Sequence, residues 1–256
     1  MSKTMPAAQR KFFDIRPATG QPVQTMPPSP TGWMLQCDFD GTISVDDVTD
    51  SLLQRFGRPG WQALEDAWEA GEIGSRECMK GQVALLDMSA AELDAHLDAM
   101  PIDPHFPAFV AEAQRRGMLV QVVSDGIDHA IRRILARHGL AGLPVLANHL
   151  VQTGERNWQL QSPHASAACV RASGNCKCER LAEQQVVHGQ VLFVGDGSSD
   201  FCVSGKADFV LAKARLIGHC ESRGIAHAPF VDFSDALPLM ARITAASHQA
   251  ATAVVA

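Results

Sequence analysis

The sequence predicts an α/β fold: a doubly wound, mainly parallel sheet with a small helical cap inserted after the first strand. Apolar runs such as residues 118–123 and 191–194 alternate with segments of helical periodicity. Continuous apolar runs of this kind are typical of parallel strands that are buried on both faces. Residues 45–103, in contrast, contain helical patterns with no apolar run between them. We therefore assign residues 31–44 and 104–256 to a core domain and residues 45–103 to the cap.

The first segment, residues 1–30, is predicted to be a flexible proline-rich tail. It contains the run Pro27-Pro28-Ser29-Pro30 and shows no sustained periodicity. Such a composition buries too little apolar surface to offset the entropy cost of ordering the chain. The first strand is predicted directly after it, at residues 33–37.

The cap is predicted to contain only short helices. Helical patterns cover residues 45–56, 61–68, 78–86 and 93–100. Ser89 and Glu92 are spaced as a capping box at the start of the last helix. Val45 is expected on the buried face of the first helix, and the aromatic and methionine side chains of the cap are expected to pack in the core.

After the cap, helices and strands alternate to the end of the chain. Strands are predicted at residues 118–123, 144–148, 157–161, 191–194, 208–211 and 228–231, with the third in a hairpin. Helices are predicted at residues 106–113, 127–135, 177–187 and 213–223, and from about residue 234. The alternation favours right-handed crossovers between neighbouring parallel strands.

Composition narrows the class of partner. The chain has 256 residues, 46% of them hydrophobic, and a formal net charge of −6. This balance argues against nucleic acid as a partner, because phosphate-backbone binding requires clustered positive charge. No apolar run approaches the roughly 18 residues of a membrane span, so no membrane partner is predicted. The N-terminal residues do not resemble a secretory signal, and we expect a cytoplasmic protein.

The 7 cysteines are predicted to be reduced thiols rather than a disulfide framework. Cys169, Cys176 and Cys178, together with His164, form the one group that could hold zinc. Their spacing lacks the paired two-residue gaps of common zinc modules, which favours a role without metal.

Polar residues follow several of the predicted strands. Asp38 and Asp40 come after the first strand, Ser124 after the strand at 118–123, and Asp196 with Asp200 after the strand at 191–194. Lys177 begins a helix between the last two of these positions. Since parallel strands place their carboxyl ends at one edge of the sheet, we expect these side chains to meet there.

The segments Asp38-Phe39-Asp40-Gly41-Thr42 and Gly195-Asp196-Gly197-Ser198-Ser199-Asp200, with Ser124 and Lys177 between them, resemble the ordered motifs of the haloacid dehalogenase superfamily. The helical insertion after the first motif resembles the phosphoserine-phosphatase-like branch of that superfamily. The resemblance extends over about residues 33–240 and implies an α/β core with a helical cap.

The resemblance further implies a Mg²⁺-dependent phosphatase that acts through an aspartyl-phosphate. Asp38 would be the nucleophile, Asp40 the general acid and base, and Lys177 the cation that neutralises the transferring phosphoryl group. The expected phosphate-binding residues are Thr42, Ser124, Asp125 and Gly126. The expected magnesium ligands are Asp38, Asp40 through its backbone carbonyl, and Asp196, with Asp200 positioning the lysine or the waters of the metal. Asp40 favours phosphatase over dehalogenase chemistry, because a halide needs no proton on leaving.

The substrate is expected to be a small phosphorylated metabolite. Asp47 occupies the place of the acidic residue that recognises the substrate ammonium in phosphoserine phosphatases, and Arg76 is the candidate for its carboxylate. The segments 71–78 and 174–177 resemble more closely the methionine-salvage phosphatases of 2-hydroxy-3-keto-5-methylthiopentenyl-1-phosphate. The alternatives are a phosphoserine phosphatase, a phosphotransferase using the same intermediate, and a non-catalytic scaffold with this fold.

Overall fold

The computed structural model describes residues 32–254, with side chains described through residue 245. The predicted tail at residues 1–30 lies outside the described residues. None of the described helices is long and apolar enough to cross a membrane.

The sheet has seven strands in the order β4-β3-β2-β1-β5-β6-β7. They are β1 (Trp33–Cys37), β2 (Leu119–Ile127), β3 (Val145–Gln152), β4 (Trp158–Gln161), β5 (Gln190–Gly195), β6 (Phe209–Ala212) and β7 (His227–Pro229). Every pair is parallel except β3 and β4, which form the predicted hairpin. The prediction of a doubly wound, mainly parallel sheet is confirmed.

The helices flank this sheet. They are α1 (Val48–Phe56), α2 (Trp61–Glu69), α3 (Ser75–Ala84), α4 (Ala90–Leu97), α5 (Phe106–Arg115), α6 (Asp128–Arg137), α7 (Lys177–His188), α8 (Phe201–Ser204), α9 (Arg215–Arg223) and α10 (Phe233–Val254). The first four follow β1 and precede β2, as predicted for a helical insertion. The capping box at the start of α4 is present, with Ser89 and Glu92 bonded reciprocally. The short helix α8 was not predicted.

Two hydrophobic clusters lie on opposite faces of the sheet, and β5 contributes to both. Leu192 and Val194 belong to the larger cluster, which also contains the apolar side chains of the cap, whereas Val191 and Phe193 belong to the smaller one. This alternation follows from the two-residue period of a strand. Burying a side chain such as Phe193 stabilises the fold by about 1.5–3 kcal/mol, which explains the continuous apolar sequence of this strand.

Three expectations about element boundaries and packing are wrong. Val45 precedes α1 and is exposed, because that helix begins only after its N-cap, Asp47. Helix α2 has no buried residue, and Trp68 lines a cavity instead of packing in the core. Strand β2 continues beyond Ser124 to Ile127, with a register irregularity after Val123.

The strand register sets the position of the site. Cys37 at the end of β1 pairs with Val122 of β2 on one side and with Val194 of β5 on the other. The polar residues that follow these three positions therefore emerge side by side at the carboxyl edge of the sheet, where α/β folds bind their ligands.

Candidate active site

Asp38 is the first residue after β1 and is buried, with 4% of its surface exposed. Its backbone N–H donates to the Val194 carbonyl at 2.9 Å, which continues the pairing with β5. One carboxylate oxygen accepts from the Phe39 N–H at 2.7 Å, and the other lies 2.7 Å from the Lys177 ammonium. Burial, then the Asp200 carboxylate, raise the pKa of Asp38, and Lys177 opposes this rise. The carboxylate is therefore held in one orientation at the floor of the site.

Asp40 lies between the cap and the core. One oxygen of its carboxylate accepts from the Val48 N–H at the start of α1 at 3.0 Å, and the other accepts from the Ser124 hydroxyl at 3.3 Å. Burial, then the nearby Asp47 carboxylate, raise the pKa of Asp40 to about 7. A carboxyl group with such a pKa holds and releases a proton near neutral pH, as a general acid and base must.

Ser124, Asp125 and Gly126 occupy the end of β2, close to Asp40. The Ser124 hydroxyl accepts from the Gly126 N–H at 2.9 Å. A Cβ atom at Gly126 would collide with the Asp40 carboxylate, so only glycine permits this approach. The strand end and the Asp40 side chain are therefore in direct contact.

The Asp125 carboxylate is occupied by protein donors. One oxygen accepts from the Asn175 N–H at 2.9 Å and from the Asn148 side-chain amide at 3.2 Å. The other oxygen accepts from the Ser75 hydroxyl of cap helix α3 at 2.6 Å. The side chain that the sequence assigned to phosphate binding thus connects the cap to the core.

Lys177 is the first residue of α7 and is buried between two carboxylates. Its ammonium lies 2.7 Å from Asp38 and 2.6 Å from Asp200, and donates to the Ser199 hydroxyl at 3.2 Å. Burial alone would lower the pKa of Lys177, but Asp200 and then Asp38 raise it above the ordinary lysine value. The amine therefore stays charged beside Asp38.

Asp200 is fully buried and supports both Lys177 and the loop after β5. One oxygen receives the lysine ammonium, and the other accepts from the backbone N–H groups of Asp196 at 3.0 Å and Gly197 at 3.3 Å. Hydrogen bonds to an ionised group are among the stronger ones in proteins. Asp200 is thus placed to fix the orientation of its neighbours.

Asp196 faces the turn that follows Asp40. The Thr42 hydroxyl donates to its carboxylate at 2.7 Å. Gly41 has a φ of +72° and packs so closely that a Cβ atom there would lie 2.6 Å from an Asp196 oxygen. The turn and the loop after β5 therefore require a glycine at this contact.

A divalent metal fits the carboxylates at this edge. Ligand oxygens of Asp38, Asp196 and Asp200 lie within 4.8 Å of one another, and within the described part of the chain this is the one group of histidine, cysteine and acidic side chains that could hold an ion. A donor set made only of carboxylate oxygens suits a hard cation such as Mg²⁺. The cysteines near His164 form no comparable group among residues 32–245, and all 7 cysteines are free thiols.

The cap covers these residues and encloses a cavity of about 270 Å³. Its lining includes the predicted site residues Asp38, Asp40, Asp47, Ser124, Asp125, Gly126, Lys177 and Asp196. Arg76 is exposed and does not line it, although the preceding residue, Ser75, does. Successive helical residues point about 100° apart, so Ser75 and Arg76 project in different directions, and the substrate contact of Arg76 stays a prediction.

Sequence reasoning missed several lining residues. They are Thr49, Asp50, Glu65, Trp68, Ser75, Cys78, Met79 and Gln82 from the cap, and Gly197, Ser198, Ser199 and Arg215 from the core. The acidic group of Asp47, Asp50 and Glu65 gives the cap wall a negative charge. One sequence signal could have revealed part of this wall, namely the short spacing from Asp47 to Asp50. The Asp47 side chain is the N-cap of α1 and accepts a hydrogen bond from the Asp50 N–H, so both acids lie at the start of this helix.

Known proteins match this chain over most of its length. The family model for haloacid dehalogenase-like hydrolases matches residues 35–204. A 2-hydroxy-3-keto-5-methylthiopentenyl-1-phosphate phosphatase from an Exiguobacterium species is 34% identical over 78% of this chain and 93% of its own length. The enzyme of the same name from Geobacillus kaustophilus is 31% identical over 82% and 96%.

Solved structures share the fold. A phosphoserine phosphatase carrying a phospho-aspartyl intermediate analogue superposes with a TM-score of 0.63 at 20% identity, covering 84% of this chain and 99% of that one.

The chain therefore belongs to the haloacid dehalogenase-like hydrolase family. Within that family it is a phosphatase, an enzyme that hydrolyses phosphoric monoesters. The resemblance noted in the sequence is confirmed.

Proposed function

We propose that the chain is a Mg²⁺-dependent phosphatase that hydrolyses a small phosphomonoester through an aspartyl-phosphate at Asp38. The observation that carries the proposal is the chain of contacts from Asp38 through Lys177 to Asp200, with Asp40 held beside it between cap and core. The Asp38 carboxylate lies against the Lys177 ammonium, and the Asp40 carboxyl group has a pKa of about 7. Their environments suit a nucleophile and an acid, respectively.

In the first step, an Asp38 oxygen attacks phosphorus while the bond from phosphorus to the ester oxygen breaks. Asp40 gives its proton to the departing alkoxide, which leaves as an alcohol. Lys177 lies against Asp38 and offsets the negative charge that this carboxylate and the phosphoryl group bring together.

In the second step, Asp40 acts as a base. Its carboxylate takes a proton from a water molecule, whose oxygen attacks phosphorus and displaces the Asp38 carboxylate. Inorganic phosphate leaves, Asp38 is restored, and Asp40 is protonated again. The Ser124 hydroxyl and the N–H groups that follow it are assigned to the phosphate oxygens, as the motif implies.

Mg²⁺ would be held by Asp38, Asp196 and the Asp40 backbone carbonyl, and would reduce the repulsion between the attacking carboxylate and the phosphate dianion. The contacts modify two expected roles. Thr42 donates to Asp196 and is proposed to orient that ligand rather than to touch phosphate. Asp200 is proposed to position Lys177 and the loop bearing Asp196, since both of its oxygens already have donors.

We infer that residues 45–103 form the domain that selects the leaving group, while residues 31–44 and 104–256 supply the chemistry. The cavity of about 270 Å³ fits a small metabolite. The compound named for the two relatives is the first candidate. Phosphoserine is less favoured, because Arg215 is the one arginine lining the described cavity and it belongs to the core.

The test is phosphate release from a panel of phosphomonoesters with Mg²⁺, with EDTA, and with the Asp38→Asn variant. The panel contains 2-hydroxy-3-keto-5-methylthiopentenyl-1-phosphate, phosphoserine and p-nitrophenyl phosphate. We expect hydrolysis that requires Mg²⁺ and is abolished in Asp38→Asn. Activity that survives this substitution would exclude the aspartyl-phosphate. A folded wild-type protein that hydrolyses none of the esters would favour a scaffold, and transfer of phosphate to an added alcohol without release would favour a phosphotransferase.

A further inference from the structure

Lys213, which follows β6, joins two parts of the site that are far apart in sequence. Its backbone N–H donates to the Gly195 carbonyl at 2.9 Å, at the end of β5. Its ammonium donates to the Gly41 carbonyl at 3.0 Å, in the turn after Asp40. The residue therefore holds the turn that follows the nucleophile against the strand that leads to Asp196.

The backbone around Lys213 is strained. Ala214 has a φ of +46° and a ψ of −122°, a left-handed conformation that residues with a Cβ rarely adopt. The next contact, from the Leu216 N–H to the Asp196 carbonyl at 2.8 Å, anchors the segment again on the loop after β5. Strained backbone persists where the surrounding structure fixes it, and such positions are concentrated at functional sites.

The Gly41 turn depends on its surroundings for its position. The N–H groups of Thr42, Ile43 and Ser44 all point to the Phe39 carbonyl, so the turn is closed on itself. On the side that faces Asp196, the turn is held by the hydrogen bond from the Thr42 hydroxyl to the Asp196 carboxylate and by the close packing of Gly41 against the same side chain. The ammonium of Lys213 adds a charged donor to the Gly41 carbonyl, and a donor that is ionised binds more strongly than a neutral one.

We propose that Lys213 is a positioning residue that fixes the Gly41 turn, and with it Asp38 and Asp40, relative to Asp196. The proposal rests on the function proposed for Asp38 and Asp40. It assigns Lys213 no contact with substrate. Loss of its ammonium leaves the turn free to shift, and displacement of reacting groups by about 1 Å is sufficient to reduce turnover by up to about 10²-fold.

The experiment compares wild type with Lys213→Met, Lys213→Arg and the control Lys206→Met. Lys206 is exposed shortly after α8, and its substitution removes the same charge. Turnover of p-nitrophenyl phosphate with saturating Mg²⁺ gives kcat and KM. Hydrogen exchange of a peptide spanning residues 39–44 is measured in parallel, and it reports on the turn whether or not the enzyme turns over this ester.

We expect Lys213→Met to lower kcat at least tenfold with KM within about threefold of wild type, because the attack geometry suffers more than binding. Exchange in residues 39–44 should be several-fold faster, the melting temperature close to that of wild type, and Lys213→Arg should restore most of kcat. Lys206→Met should match wild type in every measurement.

Unchanged exchange in residues 39–44 of Lys213→Met would overturn the proposal, and so would a kcat within twofold of wild type. A loss of kcat that accompanies a large fall in melting temperature and is not restored by arginine would also overturn it, since that result describes a residue needed only for stability. If wild type hydrolyses no ester, the proposed function fails, while the exchange measurement still decides whether Lys213 holds the turn.

Discussion

The two walls of the cavity differ in how their carboxylates are held. On the core side, Asp38 and Asp200 are buried and share the Lys177 ammonium. On the cap side, Asp47 and Asp50 are exposed and Glu65 is half-buried, and no ion pair involving these three is present among the described residues. A buried network must be satisfied completely to be stable, whereas exposed acids tolerate change. Under the proposed function, the core wall supplies the chemistry, and the cap wall can vary with the substrate.

The largest effect is expected when Lys177, the cation of the core wall, is removed. In Lys177→Met, Asp38 and Asp200 remain buried without their partner, so we expect a loss of about 3–5 kcal/mol in the free energy of unfolding of the metal-free protein. Turnover should fall by about 10²- to 10³-fold, because charge stabilisation at the phosphoryl group is lost. Urea unfolding and phosphate release measure the two effects.

The matched control is Lys80→Met, which removes an exposed lysine from cap helix α3. It should leave both quantities close to wild type. An unfolding free energy of Lys177→Met within about 1 kcal/mol of wild type would contradict the description of the core wall as an interdependent network.

Asp40→Asn tests an acid that contacts both walls. The amide cannot donate a proton as a carboxylic acid does, so turnover of an alkyl phosphate should fall by about 10²-fold or more. The loss should be smaller for p-nitrophenyl phosphate, whose leaving group needs little protonation. Asp46→Asn, at an exposed position before α1, is the control. Equal losses on the two esters would argue against Asp40 as the general acid.

Gly41→Ala tests the close approach between the first turn and Asp196. Gly71 has a similar positive φ, +75° against +72°, but nothing within 4 Å of an added Cβ. Each substitution should cost about 1 kcal/mol through backbone strain. Only Gly41→Ala should also reduce turnover, because its Cβ displaces the Asp196 carboxylate. Equal activities of the two variants in the phosphate-release assay would show that this contact is dispensable.

The smallest effect on stability is expected in the cap wall. In Glu65→Gln, the unfolding free energy should change by less than about 0.5 kcal/mol, and turnover of p-nitrophenyl phosphate should stay close to wild type. The order of kcat/KM among charged and uncharged phosphomonoesters should change, since the wall loses a charge. Glu69→Gln, on the exposed side of the same helix, should not change that order. If the order of kcat/KM is unchanged in Glu65→Gln, the cap does not select substrates by their charge.

The fold and the residues of the core wall could be predicted because short contiguous stretches of the sequence specify them. Apolar runs end in polar residues at Asp38, Ser124 and Asp196, and parallel strands bring such ends together. The roles of Asp125 and Thr42 depended on partners from distant segments, Ser75 and Asp196 respectively, which no local pattern specifies.

The cap wall was harder to predict for a similar reason. Glu65 resembles any acidic residue on a helix surface, and the packing of α2 against α3 places it at the cavity. A rotation of one helical position separates Ser75, which lines the cavity, from Arg76, which does not. No sequence pattern indicates Lys213, because the positioning role proposed for it depends on the shape of one backbone loop.

The hydrogen bond from Ser75 to Asp125 constrains any exchange of the cap that is meant to change the substrate of this enzyme. A donor cap with no hydroxyl at that position leaves one Asp125 oxygen without a partner next to the strand assigned to phosphate binding. A bare carboxylate there repels an arriving phosphate dianion and loses a hydrogen bond. A chimaera that keeps every residue of the core can therefore still bind its substrate poorly, and position 75 is the first to restore.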